Sequence, residues 1–246
     1  MYPTVGVHSS ITLNLLKIRN EKLLDKVSRP SRDFTLLEAS KTPYFWILYT
    51  TFLCSSFAQM FFVQNASLLI IEGLEASMGR EQALAVVVPT FLMVVGVAGC
   101  LGSFGWGYII DKLGGPWRTL PILYFSAAVL MLLFYISYSN VALIMIIGFL
   151  LYLELQGGPA VHYAAVSYAF GRKHLGRIMT TLQAFSIGIG ISTGPFVGAY
   201  IKDVTKGYFW AIIIAVGLRL VATMVSLIGL GMHKKNRFSA PVDSDM

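Results

Sequence analysis

The residues best suited to chemistry lie where they are most expensive to keep. Glu154, Gln156 and His162 fall inside one long apolar block, around Gly157-Gly158-Pro159; Gln59, Gln64 and Asn65 fall in a second block and Arg219 in a third. In hydrocarbon each such group must face a partner, a cavity or water. They are therefore the pointers to a solute or ion path. A carboxyl can take up and release a proton, amides can hold a polar solute, and an imidazole can do either. The glycines and proline at 157–159 predict a broken or bent helix beside Glu154, which would free backbone groups at mid-membrane. Each group also has a structural reading. Glu154 can be a static partner of Arg219 or a protonated interhelical bond, and His162 can be a histidine bonded to a neighbour. Gln59, Gln64 and Asn65, at spacings that partly share a helical face, can be interhelical bonds. Arg219 must snorkel, face inward or pair. Asn65-Ala-Ser67 matches a glycosylation sequon but lies inside a span. No cluster of histidines, cysteines or carboxylates suits catalysis or a metal, and there is no P-loop. The chain is not read as an enzyme and no cofactor is expected. Cys54 and Cys100, inside apolar blocks, read as buried thiols rather than a disulfide.

The elements that must hold these residues follow from composition and blocks. Of 246 residues, 56% are hydrophobic and 13% charged. A bilayer core about 30 Å thick needs roughly 20 apolar residues in a helix. Six blocks have that length, at 44–71, 83–110, 117–138, 141–169, 176–201 and 208–232. Period-2 alternation is absent, which excludes a barrel, and a spanning backbone must bond to itself, so the blocks are predicted helices. The expected fold is an all-α membrane protein. It has a basic segment 1–42, a six-helix domain 43–232 and a short unstructured polar tail 233–246. No signal-peptide pattern opens the chain. Residues Ile11–Val27 read either as a helix lying on the membrane surface or as a mobile basic tail.

Charge fixes the expected orientation. With a cytoplasmic N-terminus, the inside segments hold Lys17, Arg19, Lys22, Lys26, Arg29, Arg32, Lys41, Lys112, Arg118, Arg172, Lys173, Arg177, Lys234, Lys235 and Arg237. The outside loops hold only Arg80, Lys202 and Lys206. This positive-inside bias puts both termini in the cytoplasm. The net charge of +7 then reflects loops facing anionic lipid and calls for no nucleic-acid partner.

An internal echo divides the spans. Tyr108-Ile-Ile-Asp111 precedes Trp117, and Tyr200-Ile-Lys-Asp203 precedes Phe209 at the same interval. Both are Tyr-Ile-x-Asp, then a Gly-bearing turn, then an aromatic that opens the next span. This makes the second and fifth spans equivalent, and a repeat of three helices is inverted across the membrane. Asp111 stands where a helix leaves the membrane; it can accept from a neighbouring helix terminus or pair with Lys112 or Arg118 and so act as a latch. The other reading is a simple turn with solvated charges. Gly114 and Gly115 permit the reversal. Gly188, Gly190, Gly194 and Gly198 offer a small-residue face for close helix approach, and Pro195 can kink that helix.

Gly107-Tyr-Ile-Ile-Asp111-Lys112-Leu-Gly114-Gly-Pro-Trp-Arg118 resembles the loop signature of the major facilitator superfamily, and Gly190-x-x-x-Gly194-Pro195-x-x-Gly198 resembles its glycine-proline helix pattern. Asp33 through Trp46, Phe170 through Met179 and Gly198 through Tyr208 resemble the oxalate:formate antiporter and monocarboxylate porter branch. The resemblance, over about residues 33–235, implies that the spans correspond to family helices 7–12. The first and fourth spans would then line a central cavity, with Glu154 the first candidate for proton or cation coupling and His162 the second. It implies a secondary transporter of small solutes, organic anions such as monocarboxylates or oxalate/formate, in the plasma membrane. Its mechanism would be alternating access, coupled to protons or exchange and incomplete without an N-terminal six-helix half. The alternative is a non-transporting half acting as an interaction or sensing subunit. One departure matters. The branch holds its carboxylate with basic residues in helices 8 and 11, but 83–110 contains no Lys or Arg and 176–201 has only Arg177, at its end.

Overall fold

The computed structural model describes residues 33–239. The segment Ile11–Val27 and the tail beyond Ser239 lie outside the described residues. Six helices are long and apolar enough to cross a membrane. They are α1 (Pro43–Met78), α2 (Arg80–Lys112), α3 (Pro116–Ile136), α4 (Val141–Phe170), α5 (Leu175–Thr205) and α6 (Phe209–Ser239). The chain is an all-α, multi-pass integral membrane protein.

Local chemistry sets the helix ends. Pro43 opens α1, and the Thr42 hydroxyl accepts from the Phe45 amide at 3.4 Å. The Asn140 side chain does the same for α4, accepting from Leu143 at 3.2 Å. Both satisfy amides that the first helical turn leaves free. Between α2 and α3 the chain reverses through Gly114 and Gly115, at φ 76° and 116°, conformations that glycine adopts without strain. Within α2, Ala83–Val87 form a π turn just ahead of Pro89, whose ring and missing N–H disfavour a regular α turn there. Ahead of α1, a short helix Leu36–Ser40 is closed by a reciprocal Thr35–Glu38 capping box. This leader is stitched to the α4–α5 turn. Phe34 donates to the Phe170 carbonyl at 2.9 Å, and Asp33 Oδ1 accepts from the Arg172 and Lys173 amides at 3.0 and 3.3 Å.

The helices pair selectively. α1 lies along α5 and α6, α4 lies along α2 and α3, and α3 lies along α6. In lipid, packing rather than water exclusion drives such association, so small residues mark the closest approaches. Two apolar clusters form the core. One contains Phe62, Phe91, Phe134, Leu151 and Tyr152, the other Phe52, Trp106, Trp117, Leu120 and Phe170. Buried polar residues Thr51, Ser55, His162 and Arg219 belong to neither. Along α1 and α6, Ser55 and Arg219 lie between the two clusters, while Thr51 and His162 sit at the near edge of the second, beside Phe52 and Val161; together they make a buried polar layer.

Three expectations are corrected. α4 runs without interruption through Gly157-Gly158-Pro159. The proline costs one donor, which a continuous intramembrane helix tolerates, and both glycines are buried in packing. The last helix continues to Ser239, into the segment read as an unstructured tail. Cys54 and Cys100 are both free, as expected, but Cys100 is exposed on the outer side of α2 rather than buried.

A candidate functional site in the buried polar layer

Arg219 is the centre of the layer. It projects from α6 and is only 2% exposed. Its Nη1 donates to Ser55 Oγ of α1 at 2.8 Å, and the guanidinium lies 6.0 Å from the centre of the Tyr124 ring of α3. The arginine thus faces inward, and Ser55 and the ring meet part of its demand.

His162 is fixed from both sides. Its Nδ1 lies 2.8 Å from the Gly158 carbonyl, which can only accept, so Nδ1 carries the proton. Its Nε2 then accepts from the Tyr124 hydroxyl at 2.5 Å, and the Phe52 ring packs edge-on against the imidazole. A neutral ring with both nitrogens engaged is a link between α3 and α4. In this conformation both ring nitrogens of His162 are thus committed to neighbours.

Glu154 differs. It is partly buried, one and two helical turns before Gly158 and His162 on the same side of α4. Its Oε2 is buried without a hydrogen-bond partner, and so are Nε and Nη2 of Arg219. The two residues are not in direct contact as an ion pair, but the charge of Arg219 acts on Glu154 and on Tyr124. The nearby Ser126 hydroxyl donates to the Ile122 and Leu123 carbonyls of its own helix, at 2.7 and 3.2 Å.

The other polar candidates do not join this centre. Gln156 lines an open groove of about 340 Å³ between α2 and α4, with Leu92, Val95, Gly99 and Tyr152. Asn65 is buried but donates to the Phe61 carbonyl of its own helix at 2.9 Å. Gln59 is half-buried and Gln64 exposed, so the three polar residues of α1 do not share a face. Adjacent positions on a helix point about 100° apart, which separates Gln64 from Asn65. Asp111 is exposed and makes no ion pair with Lys112 or Arg118. Gly107 borders open space. Among the described residues, no three His, Cys, Asp or Glu side chains gather to hold a metal.

Three glycines of α5 lie close against α1. A Cβ on Gly190 would stand 3.0 Å from the Ser56 carbonyl carbon, and one on Gly194 3.1 Å from the Phe61 nitrogen. Gly198 lies under the Phe61 ring and beside Asn65. Pro195 sits inside a continuous α5. Gly188, read with this row, borders open space.

Sequence reasoning singled out Glu154, His162 and Arg219 separately but missed Ser55 and Tyr124, which join them. A serine and a tyrosine are unremarkable in a span. The available signal was Tyr124 lying at the same depth as Arg219, since each falls near the middle of its block. No protein-family model matches the chain, and no characterised protein matches it either.

Proposed function

We propose that this chain is one half of a secondary transporter of the major facilitator type, moving small solutes by alternating access. The observation that carries the reading is the pairing of the helices. Exchanging α1, α2 and α3 for α4, α5 and α6 turns the α1/α5 pair into α4/α2 and the α1/α6 pair into α4/α3, and leaves α3/α6 unchanged. Two triplets of equivalent helices give this pattern, and an odd number of spans makes them antiparallel. The Tyr-Ile-x-Asp echo supports the same equivalence.

A second six-helix unit is part of the proposal. The outer faces of α2 and α5 match at a constant sequence offset: Met93 with Phe185, Val97 with Ile189, Phe104 with Phe196 and Tyr108 with Tyr200, all exposed. Matching faces on the two outermost helices suit docking of a unit built on the same plan. The solute would pass between the units, and Glu154 would exchange the coupling proton. Organic anions such as monocarboxylates or oxalate/formate are the proposed cargo, the plasma membrane the proposed location, and both termini face the cytoplasm. One observation favours the second reading, a non-transporting interaction subunit: α2 carries no cation between Ala83 and Asp111 to hold an anion.

The test is uptake of labelled carboxylates into liposomes carrying this chain alone or with a candidate N-terminal half. Uptake is expected only with both, and Glu154→Gln should abolish proton-driven uptake while leaving exchange. Uptake by the chain alone, or unchanged proton coupling in the variant, would overturn the respective claim.

A further inference from the structure

Among the described residues, four buried side-chain atoms lack a hydrogen-bond partner. They are Oε2 of Glu154, Nε and Nη2 of Arg219, and the Tyr208 hydroxyl at the α5–α6 turn. The three in the polar layer are complementary: one acceptor on an acid and two donors on a base. Unsatisfied buried groups are rare in native proteins, and an unpaired charge in a low-dielectric interior is the costliest kind. The other groups that face Arg219 are committed elsewhere. Ser55 already accepts from Nη1, and Tyr124 and His162 are engaged with each other. Thr51 donates to the Leu48 carbonyl at 2.9 Å, and Cys54 is a neutral thiol on the same turn of α1 as Ser55. On α6 itself, Thr223 donates to the Arg219 carbonyl at 2.8 Å. Among the described residues, no Asp, Glu or Lys and no other Arg is fully buried to compete for it.

We propose that Arg219 is the resident counter-charge of Glu154. Ser55 holds the guanidinium in the conformation described here, and in a second conformation it swings from Ser55 to close a direct pair with the carboxylate. The movement exchanges an α6–α1 link for an α6–α4 link, so the state of Glu154 decides which of the two central helices α6 is tied to. Arg219 is thus a positioning residue. Its use in coupling rests on the transport reading above, whereas the pairing does not.

The test is a double-mutant cycle on the purified full chain in detergent, read by thermal unfolding. Arg219→Gln should lower the unfolding temperature by roughly 5 °C, because it strands a carboxylate in the layer. Adding Glu154→Gln should restore at least half of that loss, and Arg219→Lys, which keeps the charge, should lose less than Arg219→Gln. If Arg219→Gln yields no folded protein, the readout becomes the amount of monodisperse protein recovered from membranes, which the double variant should restore several-fold. Additive losses, or no recovery in the double variant, would overturn the pairing. None of these readouts involves solute flux, so the pairing and the transport reading fail separately.

Discussion

The α2/α4 and α1/α5 contacts solve the same packing problem in different ways. On α2/α4 the glycines are shared: Gly102 of α2 rests on the backbone of Leu153, and Gly157 of α4 lies beneath the Trp106 ring. The Trp106 indole donates to the Leu153 carbonyl at 3.2 Å, locking the register. On α1/α5 the glycines lie on α5 alone: Gly190 and Gly194 face α1 backbone at Ser56, Phe57 and Phe61, and Gly198 lies under the Phe61 ring. The first contact is keyed from both helices, and the second is a smoother row of glycines carried by one helix. The two contacts thus differ in which helix supplies the small residues.

The comparison extends to the turns that follow the two Tyr-Ile-x-Asp segments. After α2, the turn relies on Gly114 and Gly115, and Asp111 stays exposed. After α5, Lys206 takes the left-handed conformation at φ 59°. Lys202 Nζ bridges to Glu72 of α1 at 3.0 Å and stands 4.5 Å over the Tyr208 ring. Burial holds the Tyr208 phenol above its usual pKa, so it serves there as a neutral ring. The smooth helix pair is thus tied at its end by an ion pair, while the keyed pair ends in a glycine turn beside the Tyr168 ring.

Four substitutions can break or sharpen this contrast. The largest effect is expected at Gly102→Val, whose side chain must enter the Leu153 backbone, at a cost of about 3 kcal/mol. Gly194→Ala should cost only about 1 kcal/mol. Thermal unfolding in detergent ranks the two, and the reverse order would remove the distinction between keyed and smooth pairs. Next comes Gly115→Ala, which places a Cβ at φ 116° and should cost about 1–2 kcal/mol, measured by the same unfolding assay. A neutral outcome would mean that the turn can relax. The smallest effect is expected at Lys202→Ala, about 0.5 kcal/mol for a half-exposed pair, fading in high salt. Its sharper readout is hydrogen exchange at the α5–α6 turn, which should speed up while the α2–α3 turn is unchanged.

Much of this architecture was legible in the amino acids. Six spans follow from apolar length, and the observed ends differ mainly at the C-terminal sides, where polar last turns carry α1, α5 and α6 past their apolar blocks to Met78, Thr205 and Ser239. The glycine row of α5 was legible because only small residues permit such approach. The break at Gly157-Gly158-Pro159 was misread because local propensity is a weak guide where a tryptophan from another helix fills the space above Gly157. The polar layer was half legible. Cost in lipid flags Glu154 and Arg219, but which neighbours answer them depends on the rotation of α3 and α6, which apolar blocks do not encode.

The stitch between Asp33 and the α4–α5 turn also governs what can be attached to this protein. The three hydrogen bonds anchor the chain beside the start of α5, not above the axis of α1. Asp33 therefore sits at the end of the bundle where the exposed Arg172, Lys173 and Arg177 gather. The leash of a reporter fused directly ahead of Asp33 would be measured from the start of α5, not from α1.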